Sequence, residues 1–137
     1  RVSLQVSSAN MIVLGGGAVT QELKYSRIER QGDVTVVILT VSDFRGEVTN
    51  FESKRELIQI VQGEKPDKLV IDFQNVQSFS SDFIGTLLSL KRQVGTGGKI
   101  KLCSMQPAQR EIFRVCRLDD TVFPILANVD DAVQSFF

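Results

Sequence analysis

The 137-residue chain contains no histidine. That absence excludes Ser-His-Asp and Cys-His catalysis and any metal site with an imidazole ligand. Cysteine is nearly as scarce, with Cys103 and Cys116 alone and no CxxC spacing. Two separated thiols predict buried, reduced residues of a cytoplasmic protein. An excess of charge is also missing: Lys plus Arg and Asp plus Glu are 16 each, so no basic surface of the kind that binds nucleic acid is expected. Long apolar runs are absent too. The longest uncharged stretch, residues 2–21, carries several serines, Asn10 and Gly15, Gly16 and Gly17, which makes it too polar to span a bilayer and too broken for a secretory leader. No membrane partner follows from it, and residues 1–22 are expected to be a flexible or loosely docked N-terminal extension.

What remains is an ordinary folded composition. Hydrophobic residues make up 42% and charged residues 23%, which argues against disorder, and the length suits one domain. From Leu23 the pattern becomes regular. Two β-rich runs flank Gln31-Gly32-Asp33, which predicts a hairpin. The second run, with Val34, Val36, Val37, Ile38 and Leu39, is nearly continuous in hydrophobicity, so both its faces are expected to be covered. Thr49 and Glu52 have capping-box spacing, and Phe51, Leu57, Ile58 and Val61 follow as a helix face that Gly63 and Pro66 end. "KLVIDF" (68–73) reads as a buried strand. A helix is expected from about Ser81 to Val94, with Phe83, Ile84, Leu87, Leu88 and Val94 on its apolar face. "GTGG" stops it, and "KIKLC" is the next strand. Pro107 suits the first turn of a third helix carrying Ile112, Phe113 and Cys116. "TVFPIL" forms a short strand whose Pro124 implies an edge position, and Asn128 caps a last helix. The order β-β-α-β-α-β-α-β-α predicts a single α/β domain over residues 23–137, with a mixed, mostly parallel sheet of about five strands and about four helices.

Several stretches resemble chemical motifs without meeting their requirements. "GGGAV" (15–19) would need glycine at position 20 for a dinucleotide fingerprint, where Thr20 stands. "GTGGK" (95–99) lacks P-loop spacing and lies between helix and strand rather than strand and helix. Asp72 ends a strand without a second convergent group, so a loop-organising hydrogen bond is expected of it. Asp130 and Asp131 lie in a helix first turn, where the dipole alone accounts for acids, and Asp119 and Asp120 are read as structural too. No metal and no cofactor is expected.

"FSSDFIG" (79–85) carries more. Ser80 or Ser81 can cap the helix by accepting a backbone N–H, a contribution of about 1 kcal/mol. The same position suits a phosphate, because the helix start presents unpartnered N–H groups and a positive dipole end. A serine nucleophile is disfavoured, since no His or Lys base lies near it in sequence.

With these residues in view, the chain from about Leu23 to Phe137 resembles the STAS domain family, specifically bacterial anti-sigma factor antagonists. The resemblance rests on "GDVTVVIL", "KLVIDFQNVQSFSSDFIGTLLSLKR", "GGKIKLCSMQP", "IFRVCRLDDTVFPI" and "VDDAVQSF". It implies a non-enzymatic binding protein that docks on an anti-sigma factor that is also a serine kinase. Phosphorylation of a serine at the start of the second helix releases it, and a phosphatase restores it. Registering the family's Asp-Ser-Ser-Gly-aliphatic-Gly motif on Ile84-Gly85 implies Ser81 as acceptor. Ser80 then replaces the Asp, Asp82 the second Ser and Phe83 the first Gly. The implied partner-binding residues are Thr49, Asn50, Ser80, Ser81, Asp82, Phe83 and Gly85, with "GEVTNF" (46–51) flanking as a loop. A constitutive scaffold or assembly module of the same family, without a phosphate switch, is the alternative. Weak homodimer formation stays open.

Overall fold

The computed structural model describes residues 11–13 and 19–137; the remainder of the expected extension, including Gly15–Gly17, lies outside them. The main sheet collects seven strands: β1 (Met11–Val13), β2 (Val19–Glu22), β3 (Ser26–Gln31), β4 (Val34–Leu39), β6 (Lys68–Asp72), β8 (Lys99–Cys103) and β9 (Ile125–Leu126), in the order β1-β2-β3-β4-β6-β8-β9. β5 (Asp43–Phe44) and β7 (Ser78–Phe79) form a separate short pair. The helices are α1 (Glu47–Glu64), α2 (Ser81–Val94), α3 (Pro107–Val115) and α4 (Val129–Gln134). The expected mixed sheet is present: β1 to β4 pair antiparallel, β4, β6, β8 and β9 pair parallel, and the separate β5–β7 pair is parallel too. The strands beyond the expected five are β1, β2 and the two-residue β5 and β7, segments too short or too polar to announce themselves by alternation.

The local causes are plain. The β3–β4 hairpin turns at Gly32 and Asp33, with Gly32 at φ +63°, a backbone sign that favours glycine in a two-residue turn. All six residues of β4 are buried. Val37 and Leu39 join the core beneath α1 and α2, while Val34, Val36 and Ile38 pack with Ala132 and Val133 of α4. β4, β6, β8 and β9 run parallel, so each return needs a crossover, which α1, α2 and α3 supply. Gly98 is required by close approach: a Cβ there would lie 2.1 Å from Val94 Cγ1 and 3.3 Å from the Pro66 carbonyl.

Helix α1 departs from expectation in three ways. It starts at Glu47 behind Gly46, so Thr49 lies inside it and caps nothing, and 47–51 is helix rather than loop. It runs through Gly63, and Lys65 takes the left-handed closing position at φ 48°. Its buried side comprises Asn50, Ser53, Leu57, Ile60 and Val61, which leaves Phe51 on the outside at 62% exposure. Glu52 does not reach back to a cap. It accepts the Lys24 ammonium at 2.9 Å and the Tyr25 hydroxyl, and these partners hold its carboxyl below the usual glutamate range. One turn on, Glu56 accepts the backbone N–H of Lys24 and Tyr25 and the Ser26 hydroxyl, tying α1 to the start of β3. Burial nevertheless pushes the Glu56 carboxyl up.

Candidate functional site

Helices α1 and α2 begin beyond the C-terminal ends of β4 and β6, the end of a parallel sheet where loops converge. The short β5–β7 pair brings their starts together, aligning Asp43 with Ser78 and Phe44 with Phe79. A single side chain then bridges them. Asn50 Nδ2 donates to the Phe44 carbonyl at 2.9 Å, to the Gly46 carbonyl at 2.8 Å and to Ser80 Oγ at 3.3 Å. Its Oδ1 is buried and finds no donor among the described residues. Asn50 is therefore an internal clamp between the two helix starts, and being buried it does not offer itself to a partner as the sequence suggests.

Ser80 occupies the N-cap position of α2, with extended backbone (φ −106°, ψ 172°), but its hydroxyl caps nothing. It accepts from Asn50 and points its own proton at the Phe44 carbonyl, 3.4 Å away. The expected serine cap is corrected in this respect: the position is right and the hydroxyl is engaged elsewhere. Ser81 and Asp82, the first two helical residues, are exposed. They stand over the positive end of a 14-residue helix, whose first backbone N–H groups have no intrahelical acceptor.

Phe83, expected among the partner-binding residues, is fully buried. Its ring centroid lies 4.4 Å from that of Phe44 and 6.0 Å from that of Phe73. A chain of aromatic contacts continues through Phe79 to Phe113 and Phe123. Where the family motif has glycine, this chain uses a large apolar side chain to anchor the serine segment to the core. Gln109 braces the same segment from α3, donating to the Val76 and Gln77 carbonyls at 3.0 and 3.3 Å. Gly85 is exposed, and a Cβ there would meet nothing within 4 Å. Packing does not demand glycine at this position, so it leaves a bare patch of helix backbone beside Ser81.

Around these residues the surface is apolar and modestly charged. Val48 is 68% exposed on the first turn of α1, and the Arg55 guanidinium lies over the exposed ring of Phe51 at 5.8 Å. Thr49 is half-buried. Arg45 forks onto Asp43 at 2.9 and 3.0 Å and holds that carboxyl below its usual range. Neither Val48 nor the outward turn of Phe51 is visible in the helix pattern, since an apolar residue on the solvent side looks the same in sequence as one on the core side. The bracing role of Gln109 leaves no sequence signal at all.

The remaining sequence candidates are structural. Asp72 is buried and accepts the Gln74 N–H at 3.0 Å, the expected loop-organising bond. Burial pushes the neighbouring Cys103 thiol up to about 12, with the Asp72 carboxylate adding to the effect. Cys116, expected to be buried, is exposed, because α3 ends beside it. Asn128 caps α4 by accepting the Asp131 N–H at 2.8 Å. No group of acidic and thiol side chains among the described residues is placed to hold a metal ion. No helix among them is long and apolar enough to cross a membrane.

A mixed α/β sheet thus has its helix starts clamped together at one end, with an exposed serine at the first position of the second crossover helix. The chain belongs to the STAS domain family, whose model matches residues 25–132. Solved structures share the fold. An anti-sigma-factor antagonist (STAS) domain protein from Planctomyces limnophilus superposes with a TM-score of 0.74 at 24% identity, covering 85% of this chain and all of that one. An anti-sigma factor antagonist from Mycobacterium paratuberculosis gives 0.71 at 24% identity, over 80% of this chain and 91% of that one. The Bacillus cell fate determinant SpoIIAA in its phosphorylated form gives 0.61 at 14% identity, over 82% and 99%. No curated protein matches the chain.

Proposed function

We propose that this protein is a regulatory docking domain of the anti-sigma factor antagonist type. It binds an anti-sigma factor or switch serine kinase through the joined starts of α1 and α2. The observation that carries the reading is the exposed Ser81 at the first position of α2, beside the backbone patch at Gly85 and the adjoining α1 turn with Val48 and Phe51 outward. Ser81 is the phosphate acceptor. A phosphate there adds a charge of about −1.5 to −2 next to Asp82 and opposes an apolar partner face. Ser80, Asn50 and Phe83 hold the surface in shape from beneath, while Thr49, Ser81, Asp82 and Gly85 border it. The protein acts by binding, without turnover, in the cytoplasm, and a phosphatase resets it. The solved relative in a phosphorylated form supports a phosphate on this fold.

The test pairs the protein with candidate anti-sigma kinases and ATP, followed by phosphopeptide mapping and measurement of complex formation. Phosphate on Ser81, with binding lost in Ser81→Asp and kept in Ser81→Ala, is the expected result. A complex that forms normally with Ser81→Asp and with Ser81 unmodified favours the constitutive scaffold. That alternative finds its own support in the presence of this fold in the stressosome, a signal integration and transduction hub (TM-score 0.58, 19% identity, 79% of this chain and 93% of that one).

A further inference from the structure

At the end of α2 remote from Ser81, the core comes to the surface beside two unmatched cations. Leu88 stands three residues before Lys91 and four before Arg92, so the three share one face of the helix's last turns. Leu88 is only half-buried, as is Val122 in the loop between α3 and β9, although both pack against the main core. With Gly95 they border a cleft of about 540 Å³. Gly95 closes α2 at φ +82°, and a Cβ there would meet nothing within 4 Å, so the cleft is open on that side. The loop that presents Val122 is fixed from both directions. The Phe123 N–H donates to the Leu118 carbonyl at 2.8 Å, and the Asp120 N–H to the Phe123 carbonyl at 3.1 Å. The apolar wall is therefore formed before any ligand arrives.

The charge on this cleft is all of one sign. No carboxylate lines it. Neither Lys91 nor Arg92 has an ion pair among the described residues, and Arg92 donates to a neutral oxygen, the Ser89 hydroxyl, at 3.0 Å. A helix C-terminus favours cations, but its dipole end carries only about half a negative charge. Two cations against half a charge leave more than one positive charge uncompensated. Nor does the dipole explain why apolar surface at Leu88 and Val122 stays uncovered next to them.

We propose that this cleft binds an organic anion with an aliphatic tail, a medium-chain carboxylate, whose head group lies between Lys91 and Arg92 and whose chain covers Leu88 and Val122. The cations set the sign of the head group, and the apolar wall sets the need for a tail. An inorganic anion would leave the wall uncovered, and a neutral lipid would leave the cations unpaired. The volume falls within the roughly 300–1,000 Å³ of small-molecule sites. The 14 residues of α2, a length of about 20 Å, separate the cleft from the docking surface, and the two readings stand independently.

Calorimetric titration of the whole chain with decanoate below its micellar concentration tests the proposal. The expected result is saturable one-to-one binding, tighter than that of octanoate by at most the roughly fourfold per methylene of full burial. Lys91→Gln/Arg92→Gln weakens it about tenfold, the scale of two exposed charge contacts. Lys54→Gln/Lys65→Gln, which removes exposed lysines of α1 and its cap, leaves it unchanged. Without ligand the cleft variant melts no more than a few degrees below wild type, the size of lost dipole contacts, and added decanoate raises the melting temperature of wild type alone. Absence of saturable binding, equal binding of decyltrimethylammonium, or equal weakening in the control variant overturns the proposal. So does a protein that ignores decanoate yet takes up an acidic amphipathic peptide, or a second copy of itself, through Lys91 and Arg92, since the cleft then reads a protein surface.

Discussion

Replacing Asn50 separates an internal clamp from a surface contact. Asn50→Ala removes two short hydrogen bonds, to the Phe44 and Gly46 carbonyls, each worth about 1 kcal/mol net. Both carbonyls keep other donors, Ser80 N–H at 3.3 Å and Asn50 N–H at 2.9 Å, so neither is orphaned. Removal of the unpartnered Oδ1 returns part of the loss, leaving a net cost of about 1–2 kcal/mol. Asn50→Asp is different. It sets a buried carboxylate against two carbonyl oxygens, and an uncompensated buried charge costs about 3–5 kcal/mol. Such a carboxyl titrates above its unfolded value of about 3.9. The variant's stability relative to wild type is then fully present below that value. It is lost as pH rises through the folded value, by about 1.4 kcal/mol per unit of upward shift. Urea unfolding followed by circular dichroism, near pH 4 and near pH 7, measures both variants against wild type. The expected outcome is Asn50→Asp well below Asn50→Ala at neutral pH, with the gap closing in acid. Equal, pH-independent losses would refute the clamp.

Two further outcomes follow from the same surface and core. Gly85→Ala meets no steric obstacle and restores a good helix former, so thermal melting should rise by the equivalent of about 1 kcal/mol, while affinity for the docking partner falls because a methyl group covers the backbone patch. A fall in stability would contradict the open geometry. Thiol titration with a chromogenic disulfide should modify Cys116 rapidly and Cys103 only on unfolding, since Cys103 is buried with its thiol pushed up to about 12; two fast thiols would show that the β6–β8 face opens readily.

Much of the fold is legible in the chain because it is encoded over short distances. The hairpin around Gly32, the strand Lys68–Asp72 and the helix Ser81–Val94 lie where periodicity and turn chemistry put them. The errors sit where identical local patterns have two tertiary outcomes. Thr49 and Glu52 have capping-box spacing, yet Tyr25 and Lys24, more than 25 residues away in sequence, take the Glu52 carboxylate. Phe51 fits an apolar stripe by residue type, but the face that α1 buries is chosen by Asn50, Ser53 and Leu57.

The sequence by itself determined the α/β alternation, the exclusion of histidine chemistry, and the placing of Ser81 at a helix start. Each of these depends on residue type and on spacing within a turn or a strand. The tertiary structure alone decided that the Ser80 hydroxyl serves Asn50 instead of its helix, that Phe83 anchors the site from inside, and that Lys68 stands beside Lys99. Those outcomes depend on partners about 30 or more residues apart, brought together by β-strand register and helix docking.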